Sequence, residues 1–179
     1  MLKIKQLDND KNIEGKRVLL RVDFNVPIND GSITETSRIQ KVLPTIKSLI
    51  NKKAKIIIIS HLGRPKGVYQ ENLSLKKVLN VFAEKIKVSQ VTVMPFCKPD
   101  ILKKVINEVN EGTITFMENI RFHPEEEENS EAFAKQLAEC ADYYVNDSFS
   151  VSHRKHVSTY GLSKFLPTFM GRYLELEIR

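Results

Sequence analysis

The sequence predicts an α/β domain with a mostly parallel sheet covered by helices on both faces. Three observations carry this. Short runs rich in β-branched residues alternate along the chain with longer stretches whose apolar residues recur at helical spacing. Several of the short runs are too continuously apolar to have a wet face, as in the isoleucines of Lys55 to Ser60, and such strands belong in the middle of a parallel sheet. The 179 residues are 41% hydrophobic and 28% charged, the balance of a globular chain of one domain and not of a disordered one.

The elements follow in order. The first strand is expected over Arg17 to Phe24 and the first helix over Ser37 to Asn51. A second strand, Lys55 to Ser60, leads to a helix over Ser74 to Ile86, where Leu75, Val78, Leu79, Phe82 and Ile86 share one stripe and Ser74 is a suitable N-cap. Val91 to Met94 reads as a strand and Pro99 to Val109 as a helix, with Asp100 near its start and Gly112 just beyond its end. Thr113 to Met117, a helix over Ser130 to Cys140 and a last strand over Asp142 to Asn146 complete the alternation. Glu125 to Glu128, after Pro124, reads as a solvated helix start that suits the helix dipole. The tail from Thr168 to Arg179 reads as a helix carrying Phe169, Tyr173, Leu174, Leu176 and Ile178, with no C-capping glycine.

Composition narrows the function classes. No apolar run approaches the ~18 residues needed to cross a bilayer, so no membrane partner is expected. Met1 to Lys5 lacks the apolar core of a secretory signal, which predicts a cytoplasmic location. Cys97 and Cys140 are too few for a disulfide framework and lack zinc spacing, so both read as packing residues in a reducing compartment. The net charge of +6 suits nucleic acid, an acidic surface or a small anion. Nucleic acid is the weakest of these, because the lysines are scattered, interleaved aromatics are lacking and Glu125 to Glu128 would repel a phosphate backbone.

In a parallel sheet, ligands bind outside the carboxyl ends of the strands. That rule selects Asp23 to Pro27, Ser60 to Pro65, Glu118 to Pro124, and Asn146 to Ser148 running into His153, Arg154, Lys155 and His156. Arg64, Arg121 and Arg154, with Arg38 at the start of the first helix, are expected to converge on one mouth. Converging guanidiniums without matching carboxylates imply an anion, because the planar fork donates paired hydrogen bonds to phosphate or carboxylate oxygens. Asp23 is equally suited to a turn and to accepting from a ligand hydroxyl beside Asn25. Gly63 suits a tight turn near the ligand. The spacing of His61, His153 and His156 supports no metal site. The seven glycines form neither GxGxxG nor GxxxxGK[ST], so a nucleotide cradle and a complete kinase are not visible.

Taken together, RVDFNVP, SHLGRPKG, ENIRFHPEEE and VNDSFSVSHRKH, in this order and spacing from Arg17 to His156, resemble the N-terminal domain of the phosphoglycerate kinase family. The resemblance implies a Rossmann-like, three-layer half that binds 3-phosphoglycerate or 1,3-bisphosphoglycerate through Asp23, Asn25, Arg38, His61, Arg64, Arg121 and Arg154. Arg21 and His153 would belong to the surrounding basic patch, and Arg38 would stabilise the moving phosphoryl group. Residues 1–168 would be the substrate domain and 169–179 the start of an interdomain helix. Mg-ATP or Mg-ADP would sit on a C-terminal domain that is absent, leaving no cofactor in this chain. The complete enzyme would be a monomer; a phosphate-binding module without catalysis is the alternative reading. Ser148 to Ser152 depart from the family's small Ala-Phe-Gly-Thr-Ala run.

Overall fold

Four consecutive isoleucines, Ile56 to Ile59, are completely buried, and the sheet is built around them. In the computed structural model, which describes residues 12–87, 91–95 and 98–178, they lie in β4 (Lys55–Ile59). On one side β4 pairs in parallel with β1 (Arg17–Val22), which in turn pairs with β7 (Tyr143–Asp147). On the other it meets β6 (Ile114–Phe116), followed by β5 (Val91–Val93) at the edge. With β8 (Thr168–Met170) beyond β7, the order is β5-β6-β4-β1-β7-β8, and all five ladders are parallel.

The period of two along each strand sorts side chains into two cores. Val18, Leu20, Val22, Ile56 and Ile58 face one way, against α1 (Ser37–Asn51) and α2 (Lys76–Ile86). Leu19, Ile57, Ile59 and Tyr144 face the other, against α3 (Pro99–Glu108) and α5 (Glu131–Ala138). A single turn of helix, α4 (Pro124–Glu127), precedes α5, and α6 (Arg172–Ile178) follows β8. This is the three-layer α/β arrangement the alternation predicts. Phe24 follows the buried face of β1 and packs against Phe82 and Phe116, at centroid distances of 5.8 Å in both cases. Arg21 follows Leu19 to the opposite face, where it is 1% exposed.

Several local expectations change. Ile28–Asn29 and Ser32–Ile33, β2 and β3, form a small hairpin outside the predicted elements. Its Asp30-Gly31 turn has φ of +47° and +79°, the backbone such two-residue turns require. Phe169 and Met170 are strand and not helix, because β8 extends the ladder of β7; the helix of the tail begins at Arg172. The Glu125 to Glu128 turn is not simply solvated, since Glu126 is completely buried. The Ser74 hydroxyl accepts from the Lys76 N–H at 3.3 Å and donates to Glu118 at 2.7 Å, so the start of α2 is shared with a carboxylate from the end of β6. Cys140 is buried as expected; Cys97 and the segment Met1 to Lys5 lie outside the described residues.

Asp147, the last residue of β7, ties the sheet to α6. Its Oδ1 accepts the Leu174 N–H at 2.9 Å, and its Oδ2 is buried without a hydrogen-bond partner. Burial pushes this carboxyl up to about 6, against hydrogen bonds from Thr45 and the α6 backbone that favour its charged form. A folded-state value above the unfolded one near 3.9 means the associated stability is complete below that value and is lost as pH rises through about 6. Asp147→Asn removes the titration while keeping an oxygen for Leu174. Denaturant melts at pH 4 and pH 7.5 are therefore expected to show the variant gaining roughly 2 kcal/mol on the wild type across that interval. A constant difference between the two proteins contradicts the assignment.

Candidate functional site

The sheet's strand order reverses at β1, where the chain first runs outward through β4 and later returns on the other side as β7. Crevices outside such switch points are where open α/β sheets bind ligands. Here the crevice is a cavity of about 250 Å³ lined by Asp23, Asn25, Arg38, His61, Gly63, Arg64, Arg121, Ser150, Val151 and Arg154. All seven residues singled out for the anion site by their segments and by the resemblance therefore meet there. Of the two assigned to its surroundings, Arg21 lies buried beneath it, whereas His153 is exposed and does not line it.

Each wall is fixed by the residues next to it in sequence. Beyond β1, Asp23 closes a turn by accepting the Asn25 N–H at 3.0 Å, and its Oδ2 takes hydrogen bonds from Arg38 at 2.5 Å and from Ser150. The turn reading of Asp23 holds for one oxygen, while the other is engaged by Arg38 and Ser150 at the edge of the cavity. The turn after β4 is held from three sides. The Gly63 N–H donates to Asn25 Oδ1 at 2.8 Å, Arg121 Nη1 donates to the Gly63 carbonyl at 2.9 Å, and Asn119 Nδ2 donates to the Leu62 carbonyl at 2.7 Å. Gly63 has a φ of +63°, and a Cβ there would lie 2.7 Å from the Leu73 side chain, so only glycine fits without a shift. After β7, a 3-10 turn at Phe149–Val151 leads to Arg154, whose N–H donates to Val151 O at 3.0 Å.

Four guanidiniums and one carboxylate line this space. The expectation of arginines without carboxylate partners needs correction for two of them: Arg38 pairs with Asp23 at 2.5 Å, and Arg121 Nε lies 3.6 Å from Glu127. Among the described residues Arg64 and Arg154 have no ion pair. Nε of Arg121 and Nε of Arg154 are buried with no hydrogen-bond partner, which is uncommon for such strong donors. His61 is held far below its ordinary value by burial and by Arg21, Arg121, Arg154 and Arg38, so it is neutral. Burial likewise pulls Arg121 down, with Glu127 opposing and Arg154 and Arg21 adding to it, but a guanidinium stays charged at any working pH.

Ser150 was not selected by sequence, and Glu118 and Asn119 lie in a selected segment without a role assigned to either. Glu118 accepts the Leu75 and Asn119 N–H groups at 2.8 and 2.7 Å, so it and Asn119 brace the walls without lining the cavity. Ser150 sits inside the Ser148 to Ser152 departure already noted, the one signal that marked it.

A larger hollow of about 770 Å³, lined by Lys98, Asp100, Lys103, Glu139 and neighbours, lies between α3 and α5, away from the strand ends. There acids and bases alternate, Lys103 pairing with Glu139 at 3.1 Å, and nothing converges.

The family model for phosphoglycerate kinase matches residues 8–179. The phosphoglycerate kinase of Leptospira biflexa is 47% identical over 169 residues, covering 94% of this chain and 42% of its own length. That of Sinorhizobium medicae is 45% identical over 174 residues, covering 97% and 43%. Solved structures of phosphoglycerate kinase from Coxiella burnetii and Pyrococcus horikoshii superpose with TM-scores of 0.85 and 0.84, each at 34% identity, covering 98% and 97% of this chain and 43% and 44% of theirs. The chain therefore spans less than half the length of the relatives it matches. From Arg17 to Arg154, the segments that fold into this cavity and the match over residues 8–179 lead to one statement: the chain belongs to the phosphoglycerate kinase family.

Proposed function

We propose that this chain is the acid-substrate half of a phosphoglycerate kinase, binding 3-phosphoglycerate or 1,3-bisphosphoglycerate in the cavity at the β1/β7 switch point. The observation that carries the reading is the convergence of four guanidiniums on one cavity, two of which, Arg121 and Arg154, bury an Nε that makes no hydrogen bond, although that of Arg121 lies 3.6 Å from Glu127. Buried donors of this strength call for anionic oxygens. Arg64, Arg121, Arg154 and the neutral His61 hold the phosphate that is not transferred, and Asp23 with Asn25 orients the hydroxyl and carboxyl end. Arg38 stands at the opening with its side chain 41% exposed, placed to stabilise the phosphoryl group in flight. Phosphoryl transfer asks little covalent chemistry of the protein, so alignment and charge supply the rate.

In this reading the nucleotide and its magnesium fall to the part of the family's length that this chain does not span, and the reaction, reversible formation of ATP and 3-phosphoglycerate, needs both parts. The residues 169–179 begin the connection between them, and the protein works in the cytoplasm as a monomer. Calorimetric titration of the 179-residue chain with 3-phosphoglycerate is expected to show weak one-to-one binding, lost in Arg64→Ala, and no ATP formation from 1,3-bisphosphoglycerate and ADP. Absence of binding, or measurable turnover by this chain, overturns the assignment. DNA or RNA binding that competes with the acid would favour a nucleic-acid role instead.

A further inference from the structure

Below the cavity runs a line of buried polar side chains that the substrate reading leaves unused. Arg21 is 1% exposed and spends its donors inside the protein: Nε on the Ser158 hydroxyl at 2.9 Å, Nη1 on the Val22 carbonyl, and Nη2 on His61 Nδ1 at 2.9 Å. Ser158 in turn donates its hydroxyl to Glu126 Oε1 at 2.6 Å and its N–H to Oε2 at 2.8 Å, so both oxygens of this completely buried carboxylate accept from one residue, with His156 Nδ1 3.9 Å from Oε1. Tyr144 anchors the same point from the strand, its hydroxyl donating to the Ser158 carbonyl at 2.6 Å.

We propose that Glu126, Ser158 and Arg21 are positioning residues that fix His61 as its Nε2–H tautomer, so that the ring presents a neutral donor to the anion. The direction of every bond in the chain follows from chemistry. A guanidinium has donors and no acceptor, so Nδ1 of His61 must accept and the ring proton must reside on Nε2. Because the Ser158 oxygen accepts from Arg21, its own proton goes to Glu126. The carboxylate compensates the buried guanidinium, whose burial without a counter-charge would be costly. Burial raises Glu126, and Arg21 and the two hydrogen bonds from Ser158 act against that shift. With the opposite tautomer, His61 would turn a lone pair toward phosphate oxygens and repel them. The sequence holds the relay 105 positions apart, from Arg21 to Glu126, which is why no motif displays it.

The inference rests on the phosphoglycerate reading of the cavity, but its first test does not use a ligand. Nitrogen-15 NMR of the histidine rings, with His61 assigned by the signal missing in His61→Gln, is expected to show the Nε2–H form unchanged between pH 5.5 and 8. Finding His61 as the Nδ1–H tautomer or as a titrating ring in the wild type overturns the proposal. Ser158→Ala is then expected to mix the tautomers and weaken 3-phosphoglycerate binding about tenfold, the scale of one hydrogen bond to a charged group. Ser158→Thr, which keeps the hydroxyl, should restore both readouts. Glu126→Gln repeats the test should Ser158→Ala not fold. A folded Ser158→Ala with His61 signals and affinity unchanged refutes the relay. Failure of the wild type to bind 3-phosphoglycerate, with the Nε2–H form present, would refute the substrate reading alone.

Discussion

Arg121→Ala is expected to lower the affinity for 3-phosphoglycerate by about 100-fold or more, the largest binding effect of any single substitution at the site. Truncating one partner of a buried, hydrogen-bonded charge contact costs ~2–5 kcal/mol. Arg121 is 2% exposed, and two effects add at this position. Its guanidinium no longer meets the anion, and its Nη1 releases the Gly63 carbonyl, held at 2.9 Å, so that the turn bearing Arg64 loosens. Arg121→Lys keeps the charge without the fork and is expected to recover only part of the loss. Calorimetry on both variants, with thermal melts to establish that each is folded, checks this. An alanine variant that binds within threefold of wild type rules out Arg121 as a ligand of the anion.

Gly171→Ala is expected to be the most destabilising conservative change in the described chain, by about 3 kcal/mol or more. A Cβ at this position would lie 2.2 Å from Cγ and 2.3 Å from Oδ1 of Asp147. Neither side can give easily: Asp147 ends a central strand and is completely buried, while the Gly171 N–H is bound to the Asn146 carbonyl at 2.8 Å. Overpacking in such a place costs ~1–3 kcal/mol, and here it also breaks the Asp147–Leu174 bond at 2.9 Å that starts α6. Urea denaturation measures it, and a loss under 1 kcal/mol contradicts the close approach. The damage should also spread to α6, so hydrogen exchange there is expected to accelerate before that of β4.

What the sequence discloses and what it hides follow from the physics of each signal. The central strands are legible because burial on both faces leaves an uninterrupted apolar run, as in Ile56 to Ile59, and the amphipathic helices because one dry face leaves a stripe. The α1 range of Ser37–Asn51 is as the spacing predicts it. β8 is hidden because three residues are too few for periodicity, and Thr168–Met170 becomes a strand only through the free edge of β7. The hairpin at Asp30-Gly31 is a different case, since its turn signal is present in the sequence and only the strands beside it are short. Within the site, the arginines and His61 are readable because strand ends are readable. The buried Glu126 is not. Four consecutive glutamates look like a wet surface, and only a three-dimensional partner, Ser158, gives one of them an interior role. The same limit conceals the role, though not the segment, of Glu118 and Asn119, whose work is to brace loops from beneath.

The most direct test of the account is an NMR titration of the isotopically labelled chain with 3-phosphoglycerate, following the amides of four segments that are distant in sequence: Asp23 to Asn25, His61 to Arg64, Asn119 to Arg121, and Ser150 to Arg154. One ligand held by all four should move every segment along a single saturation curve with one Kd. Response confined to one segment, or separate curves for each, would mean that the arginines share a cavity without sharing a ligand.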